Sequence, residues 1–136
     1  MDELNLEAKV DKLDVVLAFI DERLEALDCP MKAQMQLDVA VEELFVNIAS
    51  YAYAPGTGSA TIRFETTHDP LTVEITFIDS GVPYDPLARK DPDVTLAAED
   101  RDIGGLGIYM VKKSMDAVDY EYRNGQNVLR IKKIIG

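Results

Sequence analysis

The sequence holds no tryptophan, one cysteine and one histidine. The single cysteine, Cys29, excludes an internal disulfide framework and suits a reducing compartment, where it reads as a helix-linker residue. His68 falls in the turn-like stretch His68-Asp69-Pro70, so zinc clusters and Ser–His–Asp chemistry have little to build on. No apolar run approaches the roughly 18 residues needed to span a bilayer. Met1-Asp2-Glu3-Leu4 also lacks the basic-then-apolar start of a signal peptide, so a cytoplasmic location without membrane contact is expected. Basic side chains are outnumbered: 14 Lys and Arg face 25 Asp and Glu, a net charge of −11. Phosphate repulsion then argues against direct nucleic-acid binding.

What remains is 136 residues with 47% hydrophobic side chains, the size and composition of one globular domain spanning 1–136. Leu4, Leu6 and Ala8 alternate with polar residues and predict a short strand. Leu13, Val16, Leu17, Ile20, Leu24 and Leu27 follow helical spacing up to Asp28-Cys29-Pro30. A second helix is expected from Pro30 to about Tyr53, ended by Ala54-Pro55-Gly56. Two alternating strands follow, Ala60–Thr67 and Leu71–Asp79, then a long polar stretch from Ser80 to Ile103. A loop of that length inside a small domain is usually functional or mobile. A third helix is expected over Gly105–Met115, then strands Val118–Arg123 and Asn127–Ile134 joined at Asn124-Gly125, a strong hairpin signal. This order predicts an α+β two-layer sandwich, a mostly antiparallel mixed β-sheet with α-helices on one face.

Three groups of residues carry chemistry. On the second helix, Gln36, Glu43, Asn47 and Ser50 share one stripe, and Glu43 and Asn47 are neighbours one turn apart. An amide oxygen suits Mg²⁺ and an adjacent carboxylate can accept a proton. Spacing alone fits a solvated stripe or a structural hydrogen bond at least as well. Asp38 and Glu42 read as solvent-facing charges. Next, Phe77-Ile78-Asp79-Ser80-Gly81 runs an apolar strand into an aspartate that can accept a hydrogen bond from an exocyclic amine. The glycine beside it would admit a flat ring, although Asp-Ser-Gly is also ordinary turn chemistry. Last, Gly104-Gly105-Leu106-Gly107-Ile108 opens a helix, where free backbone N–H groups and the helix dipole favour an anion. It lacks the Gly-Lys-Ser/Thr of a Walker loop, and a flexible hinge would look the same. Arg89, Lys90 and Arg101 lie close enough in sequence to contact phosphates, or to balance the acidic residues around them.

Taken in order, these groups resemble the GHKL ATPase superfamily. Glu43-Leu-Phe-Val-Asn47 resembles its asparagine box, Asp79-Ser-Gly81 its first glycine box and Gly105-Leu-Gly107 its second. The stretch between, about 82–104, resembles its ATP lid. The wording Asn47-Ile-Ala-Ser-Tyr51-Ala-Tyr53 and Gly104-Gly-Leu-Gly-Ile-Tyr-Met-Val-Lys112 is similar to the anti-sigma-factor serine kinases. The resemblance implies ATP and Mg²⁺ as ligands, Glu43 as general base and Asn47 as the Mg²⁺ ligand. It implies Asp79 as the reader of the adenine amine, with Gly81 making room for the ring. Gly104, Gly105, Leu106, Gly107 and Ile108 would surround the phosphates, and Tyr51 would stand where many members place a histidine. It further implies a protein serine/threonine kinase that phosphorylates an anti-anti-sigma-type antagonist and sequesters a sigma factor. A homodimer is also implied, for which the residues themselves give no separate signal. The alternative is a nucleotide-gated binding module of the same fold that transfers no phosphate. Gln126-Asn127 replaces the threonines that some relatives carry near adenine, which leaves the last polar contact to the base open.

Overall fold

The chain order is a strand (β1, Asp2–Glu7), two helices (α1, Leu13–Ala26; α2, Met31–Asn47), two strands (β2, Ser59–Thr67; β3, Thr72–Asp79), a helix (α3, Gly105–Ser114) and two strands (β4, Ala117–Arg123; β5, Gln126–Ile134). These come from a computed structural model that describes residues 1–88 and 105–136. The strands form one sheet in the order β1-β2-β3-β5-β4, and every pairing is antiparallel. The two-layer α+β architecture is therefore as expected, while the parallel component of a mixed sheet does not occur among the described residues. No helix among them is long and apolar enough to cross a membrane.

Side-chain alternation decides which sheet face is covered. Ala60, Ile62 and Phe64 on β2, Val73, Ile75 and Phe77 on β3, and Leu129 and Ile131 on β5 all point to the helical layer and are buried. They meet Val16, Ile20 and Leu24 of α1, Leu37, Val41, Leu44 and Phe45 of α2, and Ile108 and Val111 of α3. Each of the larger side chains in this set contributes about 1.5–3 kcal/mol through burial, which outweighs any propensity term. The opposite face carries charge instead: Arg63 pairs with Glu3 at 2.8 Å, and Arg130 lies 3.7 Å from Glu74 and 3.5 Å from Asp119.

Local chemistry ends α1 and turns the β4–β5 hairpin where the sequence predicts. Asp28 takes φ of 52° while the Cys29 N–H reaches back to the Leu24 carbonyl at 3.1 Å, so α1 closes in a left-handed cap. Pro30 then precedes the first residue of α2 rather than occupying it, a one-residue shift. Asn124 and Gly125 both have positive φ, 55° and 77°, which matches the strand twist across the β4–β5 hairpin. The second helix departs from expectation at its end. It becomes a π turn over Ile48–Ala52, a distortion that turns side chains away from regular helical positions.

Asp38 also departs from its sequence reading as a solvent-facing charge. It is half-buried between α1 and α2, with Oδ1 buried and unpartnered. Burial first, and then the Asp21 and Glu25 carboxylates, raise its pKa to about 7. Two ionised carboxylates cannot donate to each other, so Asp38 gains a partner only by sharing a proton with Asp21, whose Oδ1 already accepts from Gln34 Nε2 at 3.2 Å. Because the folded pKa lies above the unfolded value, native chain binds the extra proton and stability falls as pH rises from about 4 through about 7. Discounted for the solvent that reaches this group, Asp38→Asn should stabilise the fold by about 1–2 kcal/mol near pH 8 and by nearly nothing near pH 4. Urea unfolding at the two pH values checks the sign.

Candidate functional site

The site grows from the polar ends of three apolar elements. On β3 the inward phase of Val73, Ile75 and Phe77 continues to Asp79, so the carboxylate faces the helical layer at the edge of the core. On β5 the inward phase of Ile131 and Leu129 continues to Asn127, which stands directly opposite Asp79 in the strand pairing. Both are buried, at 6% exposure each. Such groups are costly unless bonded, and here they bond each other.

Asn127 uses its whole hydrogen-bonding capacity. Its Nδ2 donates to Asp79 Oδ1 and to the Val82 carbonyl, both at 2.9 Å. Its Oδ1 accepts from the Tyr84 N–H at 3.1 Å and from the Tyr120 hydroxyl. The Gly81 N–H also donates to Asp79 Oδ1, at 2.9 Å. Among the described residues, both hydrogen bonds to the Asp79 carboxylate end on Oδ1, and Oδ2 is left as an acceptor without a partner. Asn127→Leu should remove four hydrogen bonds and cost about 2–4 kcal/mol, read as a lower urea midpoint.

The α2 end closes over this pair. The Val82 N–H donates to the Ala52 carbonyl at 2.9 Å, and a Cβ at Gly81 would fall on that same carbonyl oxygen. Gly81 is thus required where the chain after β3 passes the π turn, a packing reason distinct from room for a ring. Tyr53 ties the same corner, accepting from the Ser80 N–H at 2.7 Å and donating to the Ser59 carbonyl at 2.6 Å. The π turn leaves Tyr51 exposed, with its ring 6.4 Å from that of Tyr84. Between these walls lies a cleft of about 430 Å³ including its mouth. Its sides are apolar (Leu44, Ile48, Phe77, Leu129), Asp79 and Asn127 lie within it, and Tyr51 and Tyr84 flank it. An apolar slot with a few convergent polar groups suits a flat heterocycle.

Asn47 lines the same cleft, and its amide makes no hydrogen bond among the described residues. One turn earlier on α2, the half-buried Glu43 carboxylate lies directly against Gly107, where a Cβ would collide with it. Burial, and then Glu42, raise the Glu43 pKa above the usual carboxylate range. Gly107 sits in the first turn of α3, whose leading N–H groups have no partner within the helix. The structure thus brings together Glu43, Asn47, Tyr51, Asp79, Gly81 and Gly107. Ile108 is different, since its side chain is buried in the core and only its backbone belongs to the α3 first turn. Gly105 is the first residue of α3 and Leu106 the second, whereas Gly104, Arg89, Lys90, Arg101 and most of the expected lid fall outside the described residues.

The donor set fits Mg²⁺ in a limited way. Asn47 offers one hard amide oxygen, and no cluster of three His, Cys, Asp or Glu side chains suited to a metal occurs among the described residues. A cation here would take its remaining ligands from phosphate oxygens and water, the usual habit of Mg²⁺. The sequence gives no hint of Tyr120, and it marks Asn127 only as part of Gln126-Asn127, with its partnership to Asp79 unforeseen. The available signal was a polar residue in the inward phase of an apolar strand.

Comparison with known proteins identifies the family and the fold. The profile of the histidine kinase-like ATPase domain matches residues 6–133. The serine/threonine-protein kinase BtrW of Bordetella bronchiseptica is 28% identical over 100 residues, covering 74% of this chain and 70% of that protein. A serine-protein kinase RsbW of Bacillus cereus is 33% identical over 102 residues, 72% of this chain, and the match spans 62% of the relative's length. Among solved structures, the SiaB–SiaC complex of Pseudomonas aeruginosa contains a chain with the same fold, with a TM-score of 0.57 at 16% identity, covering 97% of this chain and 89% of that one. With nearly its whole length matched, the chain belongs to the histidine kinase-like ATPase family of GHKL type.

Proposed function

We propose that this protein is an ATP-dependent protein serine/threonine kinase of the anti-sigma-factor type, acting in the cytoplasm. The observation that carries the reading is the Glu43 carboxylate, half-buried one turn from Asn47 and pressed against Gly107 at the start of α3. Adenine would enter the apolar cleft with its amine toward Asp79 Oδ2, while Asn127 holds Oδ1. The phosphates would then extend past Asn47 toward the first turn of α3, where free N–H groups favour an anion. Mg²⁺ bound by Asn47 would neutralise phosphate charge when present.

Glu43 would accept the proton of the incoming serine hydroxyl as its oxygen bonds to the γ-phosphorus and the bond to the β-phosphate oxygen breaks. Burial helps this role, because a carboxylate with a raised pKa is a stronger proton acceptor. The acceptor would be an anti-anti-sigma-type antagonist, and a sigma factor would be held in the alternative state. The names of the BtrW and RsbW relatives support kinase chemistry for this family arrangement. Incubation with radiolabelled ATP, Mg²⁺ and the cognate antagonist tests the reading. Label on an antagonist serine is expected. Saturable ATP binding without transfer to any antagonist would instead leave a nucleotide-gated binding module.

A further inference from the structure

Resting on the kinase reading, we propose that the groove between α2 and α3 is the docking site for the phosphoacceptor protein. It would take a large apolar side chain lying about one helical turn from the acceptor hydroxyl. The groove is lined by Met35, Gln36, Val39 and Ala40 from α2 and by Met110, Val111 and Ser114 from α3. Met35, Val39 and Met110 are 62%, 57% and 50% exposed, and Met31, at 77%, extends the patch along α2. Contiguous exposed apolar side chains on a chain with 29% charged residues mark a contact surface rather than a solvated face. Methionines adapt to whatever packs on them, which suits a surface that must bind and release.

Position connects the groove to the chemistry. Glu43 of α2 touches Gly107 of α3. One turn back along α2 stand Val39 and Ala40, and one turn on along α3 stand Met110 and Val111. The two helices therefore run antiparallel past each other, and Glu43 lies on α2 one turn past Val39, about 6 Å further along the helix axis. A segment seated there delivers a hydroxyl to Glu43 only if its apolar anchor is about that far from it. A second copy of this chain fits poorly. Seven residues line the groove, whereas a stable dimer interface takes about 20–30 residues from each partner. Each copy would also bring a net charge of −11 against the other. The favoured occupant is a heterologous acceptor with an apolar residue beside its serine.

The test uses the full chain and an acceptor found by its chemistry. Lysate of the native cells is incubated with the protein and ATPγS, and the thiophosphorylated protein is identified and purified. Steady-state transfer to it is then measured for wild type, Val39→Glu and Met110→Glu, with ATP affinity measured in parallel. We expect KM for the acceptor to rise at least about tenfold, with kcat within about twofold and ATP affinity unchanged. An unchanged KM in both variants would overturn the docking site and leave the kinase intact. Variants that lose ATP binding would overturn it too, since the effect then belongs to the nucleotide site. A lysate with no labelled protein would overturn the kinase reading and the docking site with it.

Discussion

Glu43→Gln should lower phosphate transfer to the acceptor serine by about 10²–10⁴-fold while ATP affinity changes less than about threefold. Glutamine keeps the shape that packs against Gly107 and removes only the proton-accepting oxygen. The difference should appear in kcat, because the acceptor and the nucleotide still bind. A pH profile sharpens the test. Burial holds the Glu43 pKa above the ordinary carboxylate range, so wild-type activity should fall on acidification at a pH higher than a free glutamate would give. That acidic limb should be missing from the small residual rate of Glu43→Gln. Single-turnover transfer measured across pH with both proteins separates a base from a residue that only packs.

Asp79→Asn should weaken ATP binding by about 30- to 150-fold, the equivalent of losing a charged hydrogen bond worth about 2–3 kcal/mol. The substitution retains an Oδ1 to accept from Gly81 and Asn127, so the fold should lose about 1 kcal/mol or less. What changes is the second position, where a carboxylate oxygen becomes an NH₂ donor that, in the proposed binding mode, would face the adenine amine. Two donors then oppose each other. Guanine presents a carbonyl oxygen at the corresponding edge, so the same variant should gain affinity for GTP relative to ATP. Competition binding with the two nucleotides reads both effects in one experiment.

Local patterns made most of the architecture legible. The alternation of Ala60, Ile62 and Phe64, the helical spacing of Val16, Ile20 and Leu24, and the Asn124-Gly125 turn each encode their own structure within a few residues. Glu43, Asn47 and Asp79 stood out as polar residues on apolar elements, although spacing alone fitted a solvated stripe or an ordinary turn at least as well. Features set by contacts distant in sequence were not readable. Asn127 acquires its role by facing Asp79 across the β3–β5 pairing, 48 positions away. Asp38 looked like a surface charge because its environment is made by Asp21 and Glu25 on a different helix. Gly81 looked like room for a ligand, yet the atoms that forbid a side chain there belong to Ala52 and the π turn. The exposed Met35, Val39 and Met110 form a patch only once α2 and α3 lie side by side.

The central claim is that the cleft between the end of α2 and the β3–β5 pair recognises the adenine of ATP through Asp79. Calorimetric titration of the wild-type chain with ATP and with GTP in millimolar Mg²⁺ tests it most directly. Saturable one-to-one binding of ATP, at least about tenfold tighter than GTP, is the predicted result. Equal affinity for the two nucleotides, or no heat with either, would contradict it.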